Sequence, residues 1–184
     1  MKKLYLFALL LTVASCAQQQ QEQASTDAET ALPPVEGNLE TMLERYQPVI
    51  TRAADSAAIP RSVNTDGSPH TTPTRSWTSG FLPGTLWYLY ESSKDEKVLK
   101  AAREWTAFVE NEKMNGGTHD LGFIVYCSFG NGYRITNDPH YRQVIIQSAK
   151  TLSTRFKPEV GAIRSWDHNA DKWDYPVIID NMMN

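Results

Sequence analysis

Two aspartates stand where a carboxylate could do acid–base work. Asp120 lies in Asn115-Gly116-Gly117-Thr118-His119-Asp120-Leu121-Gly122-Phe123, after a glycine-rich helix exit and before an apolar run. Asp180 lies in Pro176-Val177-Ile178-Ile179-Asp180-Asn181-Met182-Met183-Asn184, after an apolar approach and at an expected helix start. The two are 60 residues apart, about one helical hairpin with its links, so equivalent ends of successive inner helices would aim both at one cavity. Two carboxylates there would repel when both ionised, so one would tend to hold a proton and could act as a general acid. Each also has a structural alternative, in which it caps the helix it begins by accepting from orphan amides. On spacing alone capping is the better reading of both.

Other chemistries fail sooner. The histidines at 70, 119, 140 and 168 have no paired ligand spacing on a helix, and no cysteine cluster supports them, so no metal is expected. No phosphate loop is present, and no cofactor is expected. Ser128 in Cys127-Ser128-Phe129-Gly130 lacks the glycine flanks of a nucleophile elbow. Cys127 sits in an apolar stretch, where an inert buried thiol is expected rather than a nucleophile.

The elements that must position the aspartates read as helices. From Asn38 to about Ala58, Leu39, Met42, Leu43, Tyr46, Val49, Ile50 and Ala53 fall at helical spacing behind Asn38 as N-cap. A second helix is expected from about Ser79 to Tyr90, apolar nearly all round, with Pro83 tolerated in its first turn. A third, from Asp95, carries Val98, Ala102, Trp105 and Val109 on one stripe. The alternation repeats, since Leu121 to Phe129 is apolar on every face whereas Pro139 to Phe156 is amphipathic through Tyr141, Ile145, Ser148 and Leu152. Helices apolar all round must be enclosed and amphipathic ones can coat them. Nested helical hairpins follow, an all-α fold forming part of an α/α toroid or, failing that, a simple bundle. Only Val177 to Ile179 could be read as a short strand.

Composition agrees with one folded unit behind an address. The chain has 184 residues, 41% of them hydrophobic, with 5 Trp, 8 Tyr and 6 Phe, a content that suits a bulky helical core or a sugar-binding surface. Its net charge of −3 gives no broad claim on phosphate backbones, so nucleic acid is not an expected partner. Lys2 and Lys3, the apolar run Leu4 to Val13 and the exit Ala14-Ser15-Cys16 have the layout of a secretory signal too short to span a bilayer. Val13-Ala14-Ser15-Cys16 resembles a bacterial lipobox, so residues 1–15 are expected to be removed and Cys16 lipidated. Losing Lys2 and Lys3 and no acid takes the charge from −3 to −5. Residues 16–37, with Gln18 to Gln21 and Pro33-Pro34, read as a tether. The expectation is a lipid-anchored protein of the bacterial periplasm or envelope, on the outer membrane, touching membrane through the anchor alone.

Four segments carry a resemblance. Arg75-Ser76-Trp77-Thr78-Ser79-Gly80-Phe81-Leu82-Pro83-Gly84, His119-Asp120-Leu121-Gly122-Phe123, Gly161-Ala162-Ile163-Arg164-Ser165-Trp166-Asp167 and Ile179-Asp180-Asn181-Met182-Met183-Asn184 resemble, in order, those of the unsaturated glucuronyl hydrolases, glycoside hydrolase family 88. The resemblance covers residue 38 to the end. It implies an (α/α)6 barrel acting on the unsaturated uronic acid that polysaccharide lyases leave at a non-reducing end. Asp180 matches the family's proton donor and base, Asp120 its second essential carboxylate, and Trp77 an aromatic of the sugar pocket, although by itself Trp77 would read as core. His119 lines the pocket or orders the turn. The chemistry implied is protonation at C4 and hydration at C5 of an enol ether, so the carboxylate-separation rule for displacement at C1 does not apply.

A six-hairpin barrel needs roughly 340 residues. Residues 38–184 are therefore expected to be the N-terminal part of such a catalytic domain, truncated after about three hairpins and inactive by itself. The unsaturated rhamnogalacturonyl hydrolases of pectin breakdown share barrel and chemistry and are the nearest alternative. A non-catalytic sugar-binding lipoprotein is the alternative from another class.

Overall fold

The computed structural model describes residues 35–52 and 58–184. The expected signal peptide, Cys16 and nearly all of the tether lie outside the described residues. No helix among the described residues is long and apolar enough to cross a membrane.

Helix α1 spans Val35–Thr51. It begins ahead of the expected start, so Asn38 lies inside the helix and does not cap it. Pro48 removes one ladder donor near its end, and the helix closes at Thr51, whose hydroxyl bonds the carbonyl of Gln47 at 2.7 Å. Leu39, Leu43, Tyr46, Val49 and Ile50 of the expected stripe pack half-buried on the core, whereas Met42 is exposed and Ala53 lies outside the described residues.

Helices α2, Phe81–Ser93, and α3, Glu96–Phe108, form the next hairpin. After it come a 3-10 helix, Glu110–Met114, then a π-helix, Gly122–Gly130, that runs straight into α4, Asn131–Thr136. Helix α5, Pro139–Ser153, closes the second hairpin. The two hairpins turn by one device. Lys94 and Asn137 each take a left-handed backbone at φ 55° and donate to the carbonyl of Tyr90 or Tyr133 at 2.8 Å. The next residue, Asp95 or Asp138, caps the following helix through its carboxylate, accepting from the Lys97 or His140 amide at 2.7 and 2.9 Å. Glu91 and Arg134, 43 residues apart and equivalent in the two hairpins, clasp each other in a bidentate pair at 2.5 and 2.7 Å. Tandem helical hairpins joined at equivalent positions are what a toroid is built from.

The core lies where α2, α3, the π-helix and α5 meet. Trp87, Trp105, Phe129, Leu86, Ile124 and Val98 are fully buried there, and the Trp87 indole donates to Thr106 Oγ1 at 2.9 Å. Gly80 and Gly84 let α2 rest directly on the π-helix. A Cβ on Gly80 would stand 2.2 Å from the carbonyl oxygens of Phe123 and Ile124, and one on Gly84 2.7 Å from that of Cys127. The widened turns of the π-helix splay its carbonyls, and side chains answer them. Ser128 Oγ bonds the carbonyls of Ile124 and Val125 at 2.8 and 3.1 Å, and Asn131 Nδ2 that of Cys127 at 2.9 Å.

The strands fall elsewhere than expected. Val177 to Ile179 forms none, whereas β1, Ile59–Val63, pairs antiparallel with β2, Pro69–Thr72, through a turn in which Gly67 takes φ 83° and Asp66 Oδ1 accepts from the Ser68 amide at 2.9 Å. A second ribbon pairs β3, Phe156–Lys157, with β4, Ala162–Ile163, around Gly161 at φ 71°. Helix α5 therefore ends before Phe156.

Candidate active site

Local bonds shape the turn that carries Asp120. Asn115 Oδ1 accepts from the Gly117 amide at 3.1 Å, and Thr118 Oγ1 accepts from the Asp120 amide at 3.1 Å while donating to Asp120 Oδ2 at 2.8 Å. The Asp120 carboxylate takes no helix amide. Its backbone carbonyl accepts from Ile124 at the start of the π-helix, which leaves the side chain free of capping duty. Asp180 is no cap either. It is the second residue of a 3-10 turn, Ile179–Met183, whose N-cap Ile178 offers no side-chain bond. The capping reading therefore fails for both aspartates.

Chain folding brings the two together at His119. Its Nε2 lies 3.4 Å from Asp120 Oδ1 and 3.3 Å from Asp180 Oδ2, and its ring is nearly buried. Nδ1 is bonded to the backbone carbonyl of Ser165. A carbonyl can only accept, so Nδ1 carries the hydrogen, and a neutral ring would then aim the Nε2 lone pair at two carboxylates. One proton shared among Nε2 and the two carboxyl groups turns those approaches into charge-assisted hydrogen bonds. Asp180 Oδ1 is buried and has no hydrogen-bond partner among the described residues.

The donor atoms of His119, Asp120 and Asp180 lie within 4.8 Å of one another, close enough to hold a cation. Spacing along a helix, on which the sequence reading excluded a metal, is blind to a set assembled from residues this far apart.

Asn184 anchors the 3-10 turn to the π-helix. Its Oδ1 accepts from the Phe123 amide at 3.0 Å, its Nδ2 donates to the Asp180 carbonyl at 3.2 Å, and Gly122 gives it room, since a Cβ there would stand 2.5 Å from Asn184 Cα. Trp77 is 46% exposed, which takes it out of the core. It meets Phe81 and Phe123 edge-on at 5.6 and 6.1 Å, and the Arg61 guanidinium stands 5.9 Å from its ring centre. Trp166 tilts against His119 at 6.5 Å and stacks on His168 at 5.5 Å. Phe81, Phe123 and Trp166 were not singled out in the sequence, although each lies within a segment that carried the resemblance. Cys127 is half-buried, and desolvation pushes its thiol above the ordinary 9.0, away from nucleophile chemistry.

Arg155 ties the loop bearing Trp166 to the turn bearing Asp120. Its buried guanidinium donates to the carbonyls of Arg164 and Gly116 at 2.8 and 2.7 Å and grips Asp167 at 2.9 and 3.2 Å. The hydrogen bond from Arg155 holds the Asp167 carboxyl below its ordinary 3.8. Because the folded value is the depressed one, the stabilisation is present above 3.8 and fades as the pH falls through the lowered value. Asp167 is half exposed, so solvent screens the pair. Asp167→Asn should therefore cost about 1 kcal/mol at neutral pH and nothing in strong acid, read from urea midpoints at both. An equal loss at both would assign the effect to something other than this ion pair.

No family model matches the chain. Curated relatives do, and they are glycoside hydrolases. The chain is related, within the class, to the unsaturated glucuronyl hydrolases. It is 48% identical over 142 residues to such an enzyme from Formosa agariphila, covering 76% of this chain and 36% of that one. It is 33% identical over 111 residues to an unsaturated chondroitin disaccharide hydrolase from Streptococcus agalactiae, covering 59% and 28%. A solved unsaturated glucuronyl hydrolase specific for heparin superposes with a TM-score of 0.72 at 43% identity, covering 79% of this chain and 38% of that one. A solved unsaturated glucuronyl hydrolase from Streptococcus agalactiae superposes with a TM-score of 0.68 at 26% identity, covering 85% of this chain and 41% of that one. The fold is mostly helical and similar to these six-hairpin structures. The chain spans just over a third of the length of the Formosa agariphila relative.

Proposed function

We propose that this chain carries the acid–base carboxylates of a hydrolase that removes the 4-deoxy-Δ4-uronic acid from the non-reducing end of lyase-generated oligosaccharides, residues 38–184 being the N-terminal part of a six-hairpin barrel. The observation that carries the reading is the convergence of Asp120 and Asp180 on one face of His119, at 3.4 and 3.3 Å. In support, two aspartates of the Streptococcus agalactiae relative, sixty positions apart like Asp120 and Asp180, were each solved as asparagine variants, one complexed with dGlcA-GalNAc6S.

In this reading Asp180 delivers a proton to C4 of the enol ether, leaving positive charge at C5 shared with the ring oxygen. Water adds to C5 and gives its proton back to the Asp180 carboxylate. The C5 hemiketal opens to a ketone, and the hemiacetal left at C1 expels the sugar alcohol. His119 and Asp120 keep the proton poised on Asp180, and Trp77, with its exposed face, supplies an apolar wall for the sugar ring. The test is loss of the C4=C5 absorbance when the full-length protein carrying these residues meets an unsaturated uronyl disaccharide. Binding without loss of absorbance would make the chain a lectin-like sugar binder.

We further propose that Cys16 is the lipidated first residue of the mature protein and holds it at a bacterial envelope membrane. Mass spectrometry of the mature N-terminus should find a diacylglyceryl Cys16. An unmodified chain beginning elsewhere would remove the anchor.

A further inference from the structure

Ser165 is fully buried, and each of its polar groups is used. The amide donates to the Pro176 carbonyl at 2.8 Å and the carbonyl accepts from His119 Nδ1. The hydroxyl donates to Asn181 Oδ1 at 2.9 Å and accepts from the Ile178 amide at 3.1 Å. Asn181 continues the path by donating from Nδ2 to the Ile163 carbonyl at 2.6 Å. One residue thus grips His119 on one side and, through the residues flanking Asp180, the acid's own turn on the other.

Apolar packing does little to hold that turn. It is five residues long, and Ile179, Met182 and Met183 are 83%, 82% and 72% exposed. Polar bonds must therefore fix where Asp180 sits. The contact they protect is narrow, because 3.3 Å from Nε2 to Oδ2 is already near the long end of a hydrogen bond. A shift of a few tenths of an ångström would break it.

We propose that Ser165 and Asn181 are positioning residues that set His119 and Asp180 in register, so that the proton shared with His119 lies on the acid that faces the substrate. The inference rests on the catalytic reading of the site given above. Neither side chain touches the sugar in this account, so their loss should slow the proton transfer and leave sugar binding alone.

The experiment uses the full-length protein with Ser165→Ala, Asn181→Ala and the double variant, measuring kcat, KM and Tm with an unsaturated uronyl disaccharide. Each single change should lower kcat on the order of 100-fold, with KM within about 2-fold, since about 1 Å of misplacement costs that much. The double variant should be no worse than the worse single one, because both break one path. Retained kcat, effects that multiply, or a change confined to KM would overturn the proposal, and a role in stability alone would move Tm without moving kcat per folded molecule. A second measurement needs no variant. Ring-nitrogen NMR of wild-type His119 should place a hydrogen on Nδ1, and a neutral ring protonated at Nε2 alone would overturn the proposal even if the variants failed to fold. If wild-type protein leaves the disaccharide intact, the functional reading falls, while the ring-nitrogen result still decides whether Ser165 holds His119.

Discussion

Replacing Asp180 or Asp120 with asparagine in the full-length protein should lower kcat on the order of 1,000-fold while leaving the fold and disaccharide binding in place. The amide is nearly isosteric with the carboxylate. Its oxygen can still accept from Thr118 Oγ1 at position 120, and at either position its NH2 can donate to Nε2 of a neutral His119. The trio would thus keep a hydrogen bond at Nε2 without any transferable proton, so the variants should stay close to the parent in stability. Thermal melts beside disaccharide turnover check both halves of the claim. Near-parental turnover would return that aspartate to a structural role, and a collapsed melting temperature would show that the trio holds the fold and not the reaction.

The largest expected effect on stability is that of Gly80→Ala. Alanine suits the local backbone, at φ −77° and ψ −14°, so conformational strain is not the problem. Space is. The added methyl would stand 2.2 Å from two backbone oxygens of the π-helix, and neither can yield as a flexible side chain would. Prising α2 away from the π-helix should cost about 3 kcal/mol, a large share of the roughly 5 to 15 kcal/mol that holds a domain together. The shift of the unfolding midpoint in urea measures it. A control at Gly116, where a Cβ would meet nothing closer than Thr154 Oγ1 at 4.0 Å, should shift it far less.

The helices could be read in advance because their apolar stripes repeat at helical spacing and because Asp95 and Pro139 mark starts by local chemistry alone. The two ribbons escaped because each strand is short, five residues at most, so no alternation of apolar and polar residues announces it. The π-helix escaped for another reason: a run apolar on every face has no phase from which to read a turn size. At the site, Asp120 and Asp180 were legible as acids at turns, and their meeting followed from hairpin spacing. That neither caps its helix was not legible, since an aspartate before a helix looks the same whether its carboxylate bends back to the amides or reaches across to another element. Ser165 and Asn181 carried no signal of their own, because a serine and an asparagine in a loop are ordinary until the fold buries one against a histidine.

The nine-residue π-helix has a consequence in residue count. A helix advances about 100° per residue, and a ladder closed one residue later carries an excess that ordinary winding would shed. Removing any one residue between Gly122 and Gly130 would let the ladder tighten, and the chain before it would swing round relative to α4. His119 and Asp120 lie on the side that swings, whereas Asp180 follows later in the chain and is tied to it through the Asn184–Phe123 bond, which the swing would strain or break. The angle at which the two acids meet is therefore stored as a number of residues as well as in their identities, so this stretch should accept many exchanges of one apolar side chain for another and no change in its length.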